Sequence, residues 1–165
     1  MPNDRADVAM RELIAVFSCL EAENLIDRLA RTAAAVAGTG NAGFVRVDVL
    51  RRHACSIHVH TPPGDPLSVR RWLAESGVMK ELVASQATVR LARDMSVGEP
   101  GFLSMPVPMA TRDSTHLWVA GRGFSDGDEH LVSRFAAAAG RALEAAGGLE
   151  AAVRMLRGVR SFRPV

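Results

Sequence analysis

Residues 121–143 read GRGFSDGDEHLVSRFAAAAGRAL, an acidic turn that runs directly into an alanine-rich stretch. Ser125 followed three residues later by Asp128 has the spacing of a capping box, in which cap hydroxyl and acidic side chain each accept the other residue's backbone N–H. The acidic turn therefore starts a helix. Asp126, Asp128 and Glu129 fall in its first turn, where the helix dipole favours each carboxylate by ~0.3–1 kcal/mol. Beyond the cap, Leu131, Phe135, Ala138, Ala142 and Ala145 form one apolar stripe, and Val132, Ala136, Ala139, Leu143 and Ala146 widen it. Side chains this small permit close approach to a sheet or a second helix, so the alanines are read as packing and not as catalysis.

Working outward, GFLSMPVPM (101–109) and HLWVAG (116–121) read as two strands joined through ATRDST, and ATVRLA (87–92) as a short strand before an irregular loop, RDMSVGEP (93–100). Further upstream, Val45, Val47 and Val49 alternate with Arg46 and Asp48, and Cys55, Ile57 and Val59 alternate with Ser56, His58 and His60. That is a hairpin with one buried face. TPPGDP (61–66) ends its second strand, because proline cannot extend a ladder. Helical stretches are expected over 67–74 and 78–84, separated by Gly77. At the N-terminus, three- and four-residue apolar spacing predicts helix from Val8 to about Leu20 and from Glu21 to Ala37, stopped by GTGNAG (38–43). The order of elements gives an α+β domain with a largely antiparallel sheet of five to six strands.

The 165 residues suit one domain, and 20 Lys and Arg against 18 Asp and Glu leave a net charge of +2. No global field marks a nucleic-acid binder, and nucleic acid is not an expected partner. The N-terminus has no basic segment followed by an apolar run, and no stretch of 18 apolar residues occurs, so a cytoplasmic protein without a transmembrane segment is expected. Cys19 and Cys55 lie far apart without a metal-ligand spacing, and both are expected to be buried, reduced thiols.

GFLSMPV, a turn, LWVAG and then FSDGDEHLVSRFAAAAGRAL together resemble the C-terminal half of a GAF domain, in which a strand ending in a Val-Pro step, a return strand and a capped helix follow in this order. The helix with Leu25, Ile26 and Leu29, the strand Phe44–Val49 and the VRLARD stretch (89–94) are similar to the front half. The resemblance covers about Glu21 to Gly147. It implies a GAF-like domain over 21–147, preceded by a helical segment (1–20) and followed by a basic amphipathic tail (148–165). It also implies a layout with the N- and C-terminal helices on one face of the sheet and a candidate ligand pocket on the other. The chain departs from many members at Ser104, where they have glycine, and at Trp118 in the return strand; its short loops argue against a large enclosed chromophore pocket.

Four sets of residues are chemical candidates. His58 and His60, on one side of a strand, could ligate a metal or haem, but no spacing supplies a third ligand, and exposed histidines are the preferred reading. The haem-binding relatives carry a histidine before the fourth strand, and RDMSVGEPG has none; the cofactor is left unknown, with haem not favoured and no metal expected. The two cysteines lie outside the motif of the thiol-dependent reductase that the family includes, so no catalytic residue is expected and the chain is read as non-enzymatic. A pocket on the sheet face opposite the long helices would be lined by Phe44, Arg46, Ser56, His58, Trp72, Met79 and Met95, under a cover made by 67–84 and 93–100. Lastly, Arg154, Arg157, Arg160 and Arg163 recur every three residues in the tail, although Gly147, Gly148 and Gly158 argue against one rigid rod.

The expectation is a cytoplasmic sensory or regulatory domain that binds a small molecule or a protein partner. It would signal as a homodimer through Leu13, Val16, Phe17, Leu20, Phe135, Ala139 and Leu143 to a partner or output domain. The alternatives are a haem or redox sensor using His or Cys, a thiol-dependent reductase, and an interaction module without a ligand.

Overall fold

The alternating valines between residues 41 and 60 form a hairpin of β1 (Asn41–Asp48) and β2 (His53–His60), as β-branched residues on a pleated surface should. The computed structural model describes residues 24–110 and 114–161, and for 149–161 the backbone alone. β3 (Val89–Asp94), β4 (Glu99–Val107) and β5 (Ser114–Ala120) complete an antiparallel sheet in the order β2-β1-β5-β4-β3. Helix α1 covers residues 24–36; α2 is Val69–Glu75, α3 Val78–Ser85 and α4 Asp126–Ser161. The helix expected over Val8–Leu20, with Cys19 and the apolar residues Leu13, Val16, Phe17 and Leu20, lies outside the described residues.

Helices cover both faces of the sheet. On one face α1 and α4 bury Ala33, Ala34, Phe44, Leu103, Leu117 and Val132; on the other, α2 and α3 bury Val45, Val47, Leu73, Leu82, Phe102 and Trp118. This reverses the expected facing of β1, whose valines look at α2 and α3 while Phe44 looks at the long helices. A period of two separates the faces of a strand but carries no label for the layer above each.

The hairpin register holds a second correction. The pairing slips between Phe44 and Val45, so that Phe44 opposes His58 while Val45 opposes Ser56, and Ile57 is the extra residue of a β-bulge. Upstream of the bulge the strand changes face. Ala54 and Ser56 now share the α2/α3 side with Val59, and Cys55 and Ile57 share the other with His58.

Residues 93–100 are not a covering loop either. Strands β3 and β4 run on to Asp94 and Glu99, and between them Asp94 accepts hydrogen bonds from the Ser96 backbone at 3.0 Å and hydroxyl at 2.5 Å. An aspartate that closes its own turn shortens the loop to a hairpin tip, leaving Met95 half exposed.

The capping box at the start of α4 is present. The Ser125 N–H donates to Asp128 at 2.8 Å and the Asp128 N–H donates to Ser125 Oγ at 3.3 Å. Two arginines fasten this turn. Arg122 makes a two-pronged pair with Asp128 at 2.8 and 3.2 Å, donates to the Ala37 carbonyl at the end of α1 at 2.8 Å, and lies 4.9 Å from the Phe124 ring centre. Arg90 on β3 reaches Asp126 at 2.8 Å and Glu129 at 3.3 Å.

Helix α4 is continuous to Ser161, across the boundary expected at 147/148 and across Gly147 and Gly148. Its inner face is Val132, Ala136, Ala139 and Gly140, with Phe135 and Leu143 packed against the same core. Of the α4 residues expected at a dimer face, Ala139 is buried within the domain, and Phe135 and Leu143 are partly buried against the core. The approach is closest at Gly140, where an added Cβ would strike the Pro108 carbonyl oxygen, whereas at Gly147 it would meet nothing within 4 Å.

Two predictions follow from α4. Helical Gly→Ala normally stabilises, so Gly147→Ala should raise stability by ~0.5–1 kcal/mol, whereas Gly140→Ala should lower it by ~1–3 kcal/mol; chemical denaturation of each variant reads the opposite signs. The Arg122 guanidinium, helped by the Ser125 N–H, holds the Asp128 carboxyl well below the usual carboxylate range. A depressed folded value stabilises the charged form, so this contribution is complete above pH ~4 and disappears as the pH falls below that. Asp128→Asn should therefore lose about 1 kcal/mol at neutral pH, with a gap to wild type that narrows as melts are taken into acid.

Candidate functional site

Between the sheet and α2–α3, the place expected for a pocket, stand three aromatic rings. Trp118 and Phe102 are fully buried and stack with ring centres 6.1 Å apart, and Trp72 lies 5.2 Å from Phe102. The Trp72 indole N–H donates to Glu99 at 3.0 Å. Room for the Trp118 ring comes from Gly43 on the neighbouring strand: a Cβ there would come within 2.6 Å of the indole and collide with the His58 carbonyl oxygen. His116 is buried on the same face of β5, its Nε2 3.3 Å from Ser114 Oγ, and loss of solvent pushes its pKa down. The imidazole is thus neutral at pH 7.

Next to this filled centre an open groove of about 690 Å³ runs between β2 and helices α2 and α3, a volume in the ordinary range for small-molecule sites. Its apolar floor is Ala54, Val59, Leu73, Ala74, Met79 and Val83, and its rim carries Arg52, His53, Arg70 and Lys80, with Ser56 beside them. Local sequence explains the wall: Arg70, Leu73 and Ala74 share one face of α2, and Met79 and Val83 one face of α3, by their three- and four-residue spacing. Arg70 also donates to the Val59 carbonyl at 3.0 Å, joining α2 to β2.

The seven expected lining residues do not meet in one cavity. Ser56 and Met79 line the groove. Phe44 and Arg46 border a smaller cleft of about 260 Å³ beside α1 and α4, on the opposite face. Trp72 belongs to the aromatic cluster, Met95 to the exposed hairpin tip, and His58 Nε2 lies 3.2 Å from Asp27 of α1, an ion-pair distance without hydrogen-bond alignment. The bulge and the reversed facing of β1 account for Phe44, Arg46 and His58. Arg52, Arg70 and Lys80 are not among the residues expected from the sequence; for Arg70 and Lys80 the signal is a cation beside an apolar helix face, and Arg52, in the β1–β2 turn, carries none.

Among the described residues, no three His, Cys, Asp or Glu side chains gather into a metal set, and no helix is long and apolar enough to cross a membrane. Cys55 is exposed, contrary to expectation, because the bulge places it opposite Arg46 at the sheet surface.

The architecture matches solved GAF domains. This chain has a GAF-like fold. It superposes on the GAF3 domain of Slr1393 from Synechocystis sp. PCC6803 with a TM-score of 0.57 at 13% identity, over 78% of this chain and 97% of that one. The GAF domain/HD domain protein of Geobacter sulfurreducens gives 0.55 at 15% identity, over 76% and 94%. The GAF-B domain of DevS from Mycobacterium smegmatis gives 0.54 at 17%, over 78% and 97%. No family model matches the sequence, and no curated relative matches it. The GAF-like likeness therefore lies in the layout of sheet and helices.

Exposure of Cys55 is open to a direct check. Ellman's reagent should modify it in the native GAF-like domain without denaturant, and Cys55→Ser should remove that fast reaction; a thiol that reacts only after unfolding would contradict the bulged register.

Proposed function

We propose that this GAF-like domain is a non-catalytic sensory module that receives a small molecule in the groove between β2 and α2–α3 and relays its presence through α4. The observation that carries this reading is the groove itself, with its apolar floor and a few polar groups along one rim. The solved neighbours lend support at the level of fold alone.

A relay of this kind has physical links to use. A ligand pressing on β2 acts on His58, which faces Asp27 on α1. The end of α1 is held by Arg122, and Arg122 in turn holds Asp128 in the first turn of α4. At 1.5 Å per residue the 36 residues of α4 span about 54 Å, well beyond the sheet. Such a helix suits contact with a second copy or an output partner. Because Phe135, Ala139 and Leu143 are engaged in the core, a dimer would use the outward face of α4, where Leu131 is 43% exposed.

A neutral fluorescent probe, N-phenyl-1-naphthylamine, tests the groove. Its emission should rise on binding to the wild-type protein, and Ala74→Trp, which fills the floor from an exposed position, should abolish the rise while leaving the melting temperature within a few degrees. Equal emission from both proteins, or none from either, would rule the groove out as the ligand site.

A further inference from the structure

The groove's rim and floor narrow the chemistry it can recognise. Its floor is aliphatic, and the planar groups of its lining, His53 and the guanidiniums of Arg52 and Arg70, stand at the rim and not along the floor, which suits a flexible apolar chain there. Its rim carries Arg52, His53, Arg70 and Lys80, and among the described residues no carboxylate lines it.

Three nearby acidic residues are engaged elsewhere, and Glu81, next to Lys80, borders the cleft at β3 instead. Asp48 pairs with Arg51 at 3.6 Å, Glu75 pairs with Arg71 at 3.0 Å, and Asp65 caps α2 by accepting the backbone N–H groups of Val69 and Arg70 at 2.9 Å each. Among the described residues, Arg52, Arg70 and Lys80 form no ion pair. Arg70 uses one nitrogen on the Val59 carbonyl, and the rest of its guanidinium remains available to an anion. Lys80 is also the chain's single lysine.

We propose, building on the reading of this groove as a ligand site, that its ligand is an anionic aliphatic amphiphile. The acyl chain lies on Val59, Leu73, Met79 and Val83, and the carboxylate or phosphate head sits among Arg52, Arg70 and Lys80. Each buried methylene tightens binding about fourfold, so the chain provides most of the affinity. The exposed cations select the sign of the head and make binding salt-dependent.

Titration calorimetry on the full chain, below the critical micelle concentration, tests the assignment with three probes: dodecanoate, dodecyltrimethylammonium and inorganic phosphate. Dodecanoate should bind at least tenfold more tightly than the cationic amphiphile, and 0.5 M NaCl should narrow that gap. The double variant Arg52→Gln/Lys80→Gln should weaken dodecanoate about fivefold while leaving the neutral naphthylamine probe bound as in wild type. Phosphate alone should not displace dodecanoate. Equal binding of the two heads, or a double variant without effect, overturns the anionic assignment while the groove reading stands on its neutral probe. Phosphate competing at equal concentration would show a simple anion site and overturn the amphiphile. Failure of every probe, the neutral one included, overturns the groove with it.

Discussion

The packing of Trp118 over Gly43 is the constraint around which the domain is arranged. Gly43 is the one β1 position where a bare backbone lets a neighbouring strand's indole lie flat against the sheet, and the ring then stacks on Phe102, which meets Trp72 of α2. Three rings in contact fix the height and tilt of α2, and α3 follows through Val78 and Leu82 in the same core. The space between sheet and helices at the centre is thereby closed. What stays open lies at the edges: the groove at β2, bordered by smaller aliphatic residues, and a smaller, more polar cleft of about 330 Å³ at β3 beside Trp72, Glu81 and Glu99. The same large side chain that stabilises the layer moves any ligand away from the middle of the sheet.

On the opposite face the governing element is electrostatic. Arg122 stands just past the end of β5 and reaches three places at once: the Ala37 carbonyl just past α1, the Gly123 carbonyl in the loop before α4 and the Asp128 carboxylate. A guanidinium suits this because its planar fork offers five donors in fixed directions. With the start of α4 held there and its body pressed onto the sheet at Gly140, the long helix has one orientation. The two faces thus differ in kind, one closed by aromatic packing and the other by a charged clasp over alanine packing.

Much of this was legible in the sequence, and the parts that were not fail for identifiable reasons. The capping box at Ser125 and Asp128 and the α+β order are local patterns that survive folding, whereas of the two stripes expected on α4 the one through Val132, Ala136 and Ala139 is buried and Leu131, Ala138 and Ala145 of the other are exposed. The layer that each face of β1 meets is a global property, so Val45 and Phe44 were assigned to the wrong sides. The bulge at Ile57 inserts one residue without any glycine or proline to announce it, and that single residue carried Cys55 to the surface. Nothing local marks Arg122 and Arg90, since their partners lie six residues away or on another element. The groove drew its cations from the β1–β2 turn and from two helices, so only the fold could assemble them.

The interior under α2 and α3 is filled at its centre, and of the two openings at its edges the one at β2 is the larger and the more apolar. Xenon enters small apolar cavities and reveals them directly. In a crystal structure determined under xenon pressure, xenon should stand against Leu73, Met79 and Val83 and be missing between Trp118 and Phe102. Xenon lodged beneath the Trp118 ring, with the edge groove empty, would contradict this packing.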